Sequence, residues 1–384
     1  MSDHCSIETL CTHGDPDNRI PHPFGAVTMP VFFSTAYAHP GFLESTGYDY
    51  SRVSNPTRAE LENTVTALEE GAGTVALSSG MAAITLWMEL LPQGSHIVCS
   101  EDIYGGTIRL FENVGKNHGL SVTAVDTADT EAVEAAIRDN TAALFVETPG
   151  NPTMRVSDLR ALKKICERHH LILAVDNTFL TPYFQKPLTL GADFVIHSGT
   201  KFLSGHNDVL AGFLTSKTRE DAERVQALTM TCGSCLGPLD SYLALRGLKT
   251  LPLRMEKQQA NAQKIAQWLK ERPYVEAVHY VGLPDDPGYA LNRSQATGAG
   301  SMISFSVDTK ERALRALTKV KLIYFAESLG GVESLLTYPA TQTHKDVPQE
   351  IRERLGITDN FLRLSVGIEG ADDLIRDLQQ ALED

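Results

Sequence analysis

Little in this sequence marks it for a membrane, for nucleic acid or for the outside of a cell. Cysteine is sparse, with six (Cys5, Cys11, Cys99, Cys166, Cys232 and Cys235) in 384 residues. That is too few for a disulfide framework at this length, so free thiols in a reducing compartment are expected. No apolar run approaches the ~18 residues of a membrane span. The opening MSDHCSIETL has neither the basic region nor the apolar run of a secretory signal, and a cytoplasmic location is expected. Basic residues are in the minority: 34 Lys and Arg against 48 Asp and Glu give a formal charge of -14. Such a field repels phosphate backbones and argues against general nucleic-acid binding. No block of like charge marks a tail. GxxxxGK[ST] and HExxH are both missing, and GAGTVA (71–76) precedes an apolar run where a dinucleotide turn would follow one.

What is present is ordinary for a globular protein, 42% apolar and 21% charged. The length exceeds the usual reach of one hydrophobic core, so two domains or one large domain with an appendage are expected. Residues 1–60, rich in Gly, Pro, Ser and Tyr, read as an extended arm ending in the turn Ser54-Asn55-Pro56. A helix starts near Thr57, with Leu61, Val65 and Leu68 at helical spacing. Short apolar runs then alternate with helical patterns: TVALS (74–78), HIVCS (96–100), SVTAV (121–125), AALFVET (142–148), LILAVD (171–176) and DFVIHS (193–198). Ser157 is a plausible N-cap for the helix over 157–170. The alternation predicts an α/β domain over 61–238 with a mostly parallel sheet buried on both faces. From Leu239 a long helical stretch runs on beyond Pro252 to Lys270, a Gly- and Pro-rich loop covers 281–300, and residues 239–384 read as a smaller α/β domain.

Three stretches carry chemistry. In DFVIHSGTKFLSGHND (193–208) an apolar strand delivers Ser198, Gly199, Thr200 and Lys201 at its carboxyl end, where open parallel sheets bind ligands. Lys201 reads as an amine nucleophile of the Schiff-base type or, alone, equally as a solvated loop lysine. In LILAVDNTF, Asp176 ends another strand; its carboxylate could hold a cation or a protonated ring nitrogen, or simply cap a turn. In TVALSSGMAAITLWMELL, Ser78-Ser79-Gly80 leads into a helix whose free N–H groups suit a phosphate. Pyridoxal phosphate needs all three: phosphate donors, an acid for the pyridine nitrogen and an amine for the aldehyde.

These stretches, with Tyr104 in DIYGGTIRLF, YSRVSNPTR (50–58), ETPGNPT (147–153), FAESLGGVESLLTYPATQTH (325–344) and LRLSVGIE (362–369), resemble the cysteine/methionine-metabolism family of pyridoxal-phosphate enzymes. The resemblance covers nearly the whole chain in family order. It implies an aspartate-aminotransferase-like (fold type I) α/β fold, with an arm reaching a neighbouring subunit, a cofactor domain and a C-terminal domain. Lys201 would carry the cofactor and shuttle protons, Asp176 would pair with the ring nitrogen, and Tyr104 would stack on the ring and could assist proton transfer. Gly80, Met81, Ser198 and Thr200 would bind the phosphate. Tyr50 and Arg52 would reach that phosphate from a neighbouring subunit, in a homotetramer built as a dimer of dimers with shared active sites. Asn151, Ser328 and Arg363 would hold the carboxylate of an amino-acid substrate; a planar guanidinium matches a carboxylate in a bidentate fork. No metal site is implied.

Within the family, Glu327 occupies a position that is acidic in cystathionine γ-synthases and γ-lyases. Gly106 stands where methionine γ-lyases carry cysteine, and Arg109 could help with a distal substrate group. The segments HPGFLESTGYDYSR, FAESLGG and TYPATQTH look most like bacterial cystathionine γ-synthase and acetylhomoserine thiol-lyase members. The expected reaction is therefore γ-replacement on an acetyl- or succinylhomoserine ester with cysteine. Elimination from cystathionine, or homocysteine formation with sulfide, remain alternatives. Gly199, where many members carry Ala, reads as a mild departure. Cys232-Gly-Ser-Cys235 is unusual for the family; two unpaired thiols are favoured over a redox pair or half a metal site.

Overall fold

The computed structural model describes residues 5–342, 345 and 349–383; Thr343 and His344, which close the TYPATQTH motif, lie outside them. Seven strands build the larger sheet: β1 (Gly73–Leu77), β2 (His96–Ser100), β3 (Ser121–Val125), β4 (Thr141–Glu147), β5 (Ile172–Asp176), β6 (Phe194–Ser198) and β7 (Gly212–Ser216). Their order is β1-β7-β6-β5-β4-β2-β3. Both ladders of β7 are antiparallel and the others parallel. One strand is thus reversed, and β1, β2, β4, β5 and β6 end at the same edge.

The continuous apolar runs follow from burial on both faces. Ile97, Cys99, Phe145, Ala174 and Ile196 face a core with the helix Gly80–Met88, whereas Val98, Leu144, Val146, Val175 and Val195 face the helix Leu159–His169. Strand β7 was missed in the sequence because its run, GFLTS, follows the Gly-, Ser- and Asn-rich loop after Lys201 and has no helix before it.

A second sheet of five strands has the order β10-β11-β12-β9-β8, with β8 (Val275–His279), β9 (Met302–Val307), β10 (Tyr324–Phe325), β11 (Leu335–Thr337) and β12 (Phe361–Ser365). A shared core, including Phe202, Phe213, Leu245, Met255, Met302 and Leu329, joins it to the larger sheet.

Several local expectations change. The stretch from Leu239 to Lys270 is two helices, Pro238–Leu248 and Leu251–Lys270. Pro252 cannot donate to an earlier carbonyl, so it sits in the first turn of the second helix, where no such bond is needed. Asp158, not Ser157, caps the helix Leu159–His169, accepting from Ala161 N at 2.9 Å. Ser157 is instead buried in a hydroxyl pair with Thr127. The N-terminal region is not extended throughout: a helix, Ile7–His13, buries Leu10 and Cys11 in the shared core. The stretch beyond it leaves Phe33, Phe42 and Leu43 exposed. All six cysteines are unpaired.

Asn55 caps the helix Pro56–Glu69 through Thr57 N and Arg58 N, and its amide also reaches the Phe32 carbonyl. Asn55→Ala should lower stability by about 1–2 kcal/mol, read as a lower thermal midpoint. An unchanged midpoint would show that the cap carries no stability.

Candidate active site

Five strand ends converge on one cleft. Leu77 leads to Ser79, Gly80 and Met81; Ser100 leads to Tyr104; Glu147 leads to Asn151; Asp176 ends β5; and Ser198 leads to Thr200 and Lys201. The second sheet closes the cleft with Arg363 on β12 and with Glu327 and Ser328 in the loop after β10. The enclosed volume is about 380 Å³. Eleven expected site residues line it: Gly80, Met81, Tyr104, Asn151, Asp176, Ser198, Thr200, Lys201, Glu327, Ser328 and Arg363.

At one end Ser79 caps the helix Gly80–Met88 by accepting from Ala82 N at 3.1 Å. The N–H groups of Gly80 and Met81 belong to the first turn and have no acceptor within the helix, so they can bind an anion. A Cβ on Gly80 would lie 2.8 Å from Ser198 Cβ, and one on Gly212 only 2.0 Å from the Ser79 carbonyl oxygen. Both positions need glycine so that backbone can close round the cradle.

In the middle, Lys201 Nζ donates to Ser328 Oγ at 2.9 Å. Burial, then the Arg363 charge, pulls its pKa down to about 8 against a small opposing pull from Glu327. The amine is therefore partly neutral, and nucleophilic, near neutral pH. Asp176 Oδ1 accepts from Thr178 N at 3.0 Å and from the Thr178 hydroxyl at 2.5 Å. Burial raises this carboxyl, while the Thr178 hydrogen bonds oppose the rise. A cationic ring nitrogen would hold it ionised.

At the far end Arg363 is almost fully buried. Its Nη1 donates to Asn151 Oδ1 at 2.7 Å, and Nη2 reaches the Ser328 carbonyl and Thr337 Oγ1, both at 3.3 Å. Nε has no hydrogen-bond partner among the described residues. Burial pulls its pKa down to about 10, so it stays charged. A buried cation held by neutral acceptors suits a substrate carboxylate.

Residues 8–383 match the family model for Cys/Met metabolism PLP-dependent enzymes. The chain belongs to this family. It is 46% identical over 382 residues to cystathionine γ-synthase of Haemophilus influenzae, covering 99% of both chains. With cystathionine β-lyase MetC of Bacillus subtilis it shares 46% over 360 residues, 94% of this chain and 92% of that one. The crystal structure of cystathionine γ-lyase from Lactobacillus plantarum, complexed with L-serine, superposes with a TM-score of 0.94 at 41% identity, covering 98% of each chain. The fold is the type I fold of pyridoxal-phosphate enzymes.

Pyridoxal phosphate is the cofactor of this family, and the cleft fits it: a glycine-lined N–H cradle, a buried lysine amine and a buried carboxyl occupy successive strand ends. Three expected residues lie outside the cleft. Tyr50 is exposed, and Arg52 lies over its ring at 5.5 Å while donating to the Met230 carbonyl. Arg109, also exposed, ends the short helix Gly105–Arg109. The unanticipated lining residues include two polar ones, Thr178 and Glu147, beside the apolar Ile84, Phe179, Leu210 and Leu329. Glu147 had the same signal as Asp176, an acid closing an apolar strand, and the two are register partners. Gly199 is no mild departure in this family member: a Cβ there would lie 2.4 Å from Phe213 Cε2 and 3.0 Å from Ala211 Cβ, inside a packed core.

The lowered lysine pKa has a direct consequence. Below about pH 8 the Lys201 amine is mostly protonated and above it mostly neutral. Attachment of pyridoxal phosphate to cofactor-free protein should therefore accelerate with rising pH, with a midpoint near 8. A stopped-flow midpoint close to the ordinary lysine value of 10.5 would contradict the burial.

Proposed function

We propose that this enzyme catalyses γ-replacement: the thiol of cysteine takes the place of the acyloxy group of O-acetyl- or O-succinylhomoserine. The products are cystathionine, the released carboxylate and a proton. The observation that carries this reading is Glu327. It stands exposed at the mouth of the cleft, lining both the cleft and the groove that continues outward from it. A carboxylate there attracts the ammonium of an incoming cysteine while the thiol points inward. A γ-synthase relative at 46% identity is compatible with this reading, as lyase relatives at 48% and 46% are with elimination.

Bound pyridoxal phosphate supplies an electrophilic aldehyde and an electron-withdrawing ring. This chain's residues do the rest. Gly80, Met81, Ser198 and Thr200 hold the phosphate group. Asp176 would keep a proton on the ring nitrogen, and Tyr104 would cover the ring. Arg363, with Asn151 and Ser328, fixes the substrate carboxylate and so orients the α-C–H bond. The Lys201 amine, held by Ser328 Oγ at 2.9 Å, would serve as the base that takes the α-proton and could return it at the end. Tyr50 and Arg52 reach the phosphate of a neighbouring subunit in a cytoplasmic homotetramer. This would explain why two phosphate-binding residue types lie outside their own cleft.

The second reading is elimination from cystathionine. It has specific support, because Glu327 could equally hold the distal ammonium of cystathionine and a β-lyase relative is equally identical at 46%. An assay panel separates the two. O-acetyl- or O-succinylhomoserine with cysteine should give cystathionine, and cystathionine alone should give little keto acid and ammonia. Rapid keto-acid release from cystathionine alone would overturn the synthase reading. Glu327→Gln should raise KM for cysteine about tenfold with a smaller change in kcat. Borohydride reduction followed by digestion should place the cofactor label on the peptide containing Lys201; a label elsewhere would remove the basis of the whole proposal.

A further inference from the structure

Glu147 is the buried acid of the cleft that the reaction above does not use. It ends β4 beside Asp176 on β5, and it lines the cleft. Its Oε2 accepts a hydrogen bond from the backbone N–H of Tyr104 at 2.9 Å. Tyr104 immediately precedes the helix Gly105–Arg109, so this N–H has no acceptor within the helix. The Tyr104 ring itself rests on Gly106, where a Cβ would lie 2.3 Å from the ring Cε1. The tyrosine is thus held at two points, by a carboxyl on its backbone N–H and by bare backbone against its ring.

The charged groups facing Glu147 are Asp176 from β5, Asp102 from the loop after β2 and Arg363 from β12. Burial and the Asp176 charge hold its carboxyl well above the usual range, with Arg363 opposing. Two anions at adjacent strand ends would repel each other in this low-dielectric wall, whereas one neutral acid beside one anion does not.

We propose that Glu147 is a positioning residue that fixes Tyr104 over the cofactor ring. It acts as a hydrogen-bond acceptor, and its charge is not required. Asp176 then remains the single anion available to the ring nitrogen. This rests on the reading of Tyr104 as the ring-covering residue, and the variants are chosen to separate the two.

The holoenzymes of Glu147→Gln, Glu147→Ala and Tyr104→Ala are compared with the parent. The readouts are the pH titration of the visible cofactor band, the dissociation constant for pyridoxal phosphate, and kcat and KM. The glutamine side chain keeps an acceptor oxygen and carries no charge, so Glu147→Gln should stay within about threefold of the parent in every constant. Glu147→Ala should shift the titration in the same direction as Tyr104→Ala, weaken cofactor binding about tenfold and lower kcat at least as much.

If Glu147→Ala leaves the titration and cofactor affinity unmoved while Tyr104→Ala changes both, the role of Glu147 is refuted and that of Tyr104 stands. If neither variant changes them, both readings fall. A Glu147→Gln protein as impaired as Glu147→Ala would show that the charge is needed, which also overturns the proposal. Should Glu147→Ala not accumulate as folded protein, Glu147→Leu, which fills similar space without an acceptor, takes its place: a shifted titration and weaker cofactor binding support the inference, and parent-like values refute it.

Discussion

An amine buried beside a guanidinium gives up its proton more easily than one in water, and the cleft is organised round that fact. Lys201 loses hydration in the wall of the cleft and feels the nearby charge of Arg363. Neither cation forms a close ion pair among the described residues; each is held by neutral acceptors, Ser328 Oγ for the lysine and Asn151 Oδ1 for the arginine. Burying two cations this way is costly unless an anion arrives. That cost favours anionic ligands in the cleft, within a chain of formal charge -14.

The sheet makes that arrangement possible. Five strands with the same direction deliver their carboxyl ends to one edge, so residues far apart in sequence meet without any long loop having to be ordered. The reversed strand β7 contributes differently. Its ladder with β6 and the bonds between Thr200 and Ala211 anchor both ends of the loop that carries Lys201. Gly199 leaves room for the Phe213 ring, and Gly212 lets the hairpin approach the Ser79 carbonyl at the start of the helix Gly80–Met88. The second sheet then brings Arg363 across from β12 into the cleft that Lys201 lines.

The parts that escaped sequence reading share a cause. Pro252 looked tolerable inside one long helix because the apolar spacing continues through it; the break at Thr250 is set by the missing N–H of proline and by what packs on either side. Ser157 and Asp158 are both good capping residues, and only the buried partner Thr127 withdraws the serine from that role. Glu147 resembled any strand-end acid until its neighbours, Tyr104 and Asp176, were in place.

The sequence alone determined the class of fold and most of the site. Apolar runs buried on both faces, each ending in a polar residue with chemical potential, are local patterns, and eleven of the expected residues do line one cleft. Only the tertiary structure decided which groups lose water together. That governs the lysine's lowered pKa, the buried state of Arg363 and the steric need for glycine at 106 and 199. Those properties come from the dielectric and the neighbours surrounding an atom, and residues distant in the chain supply both.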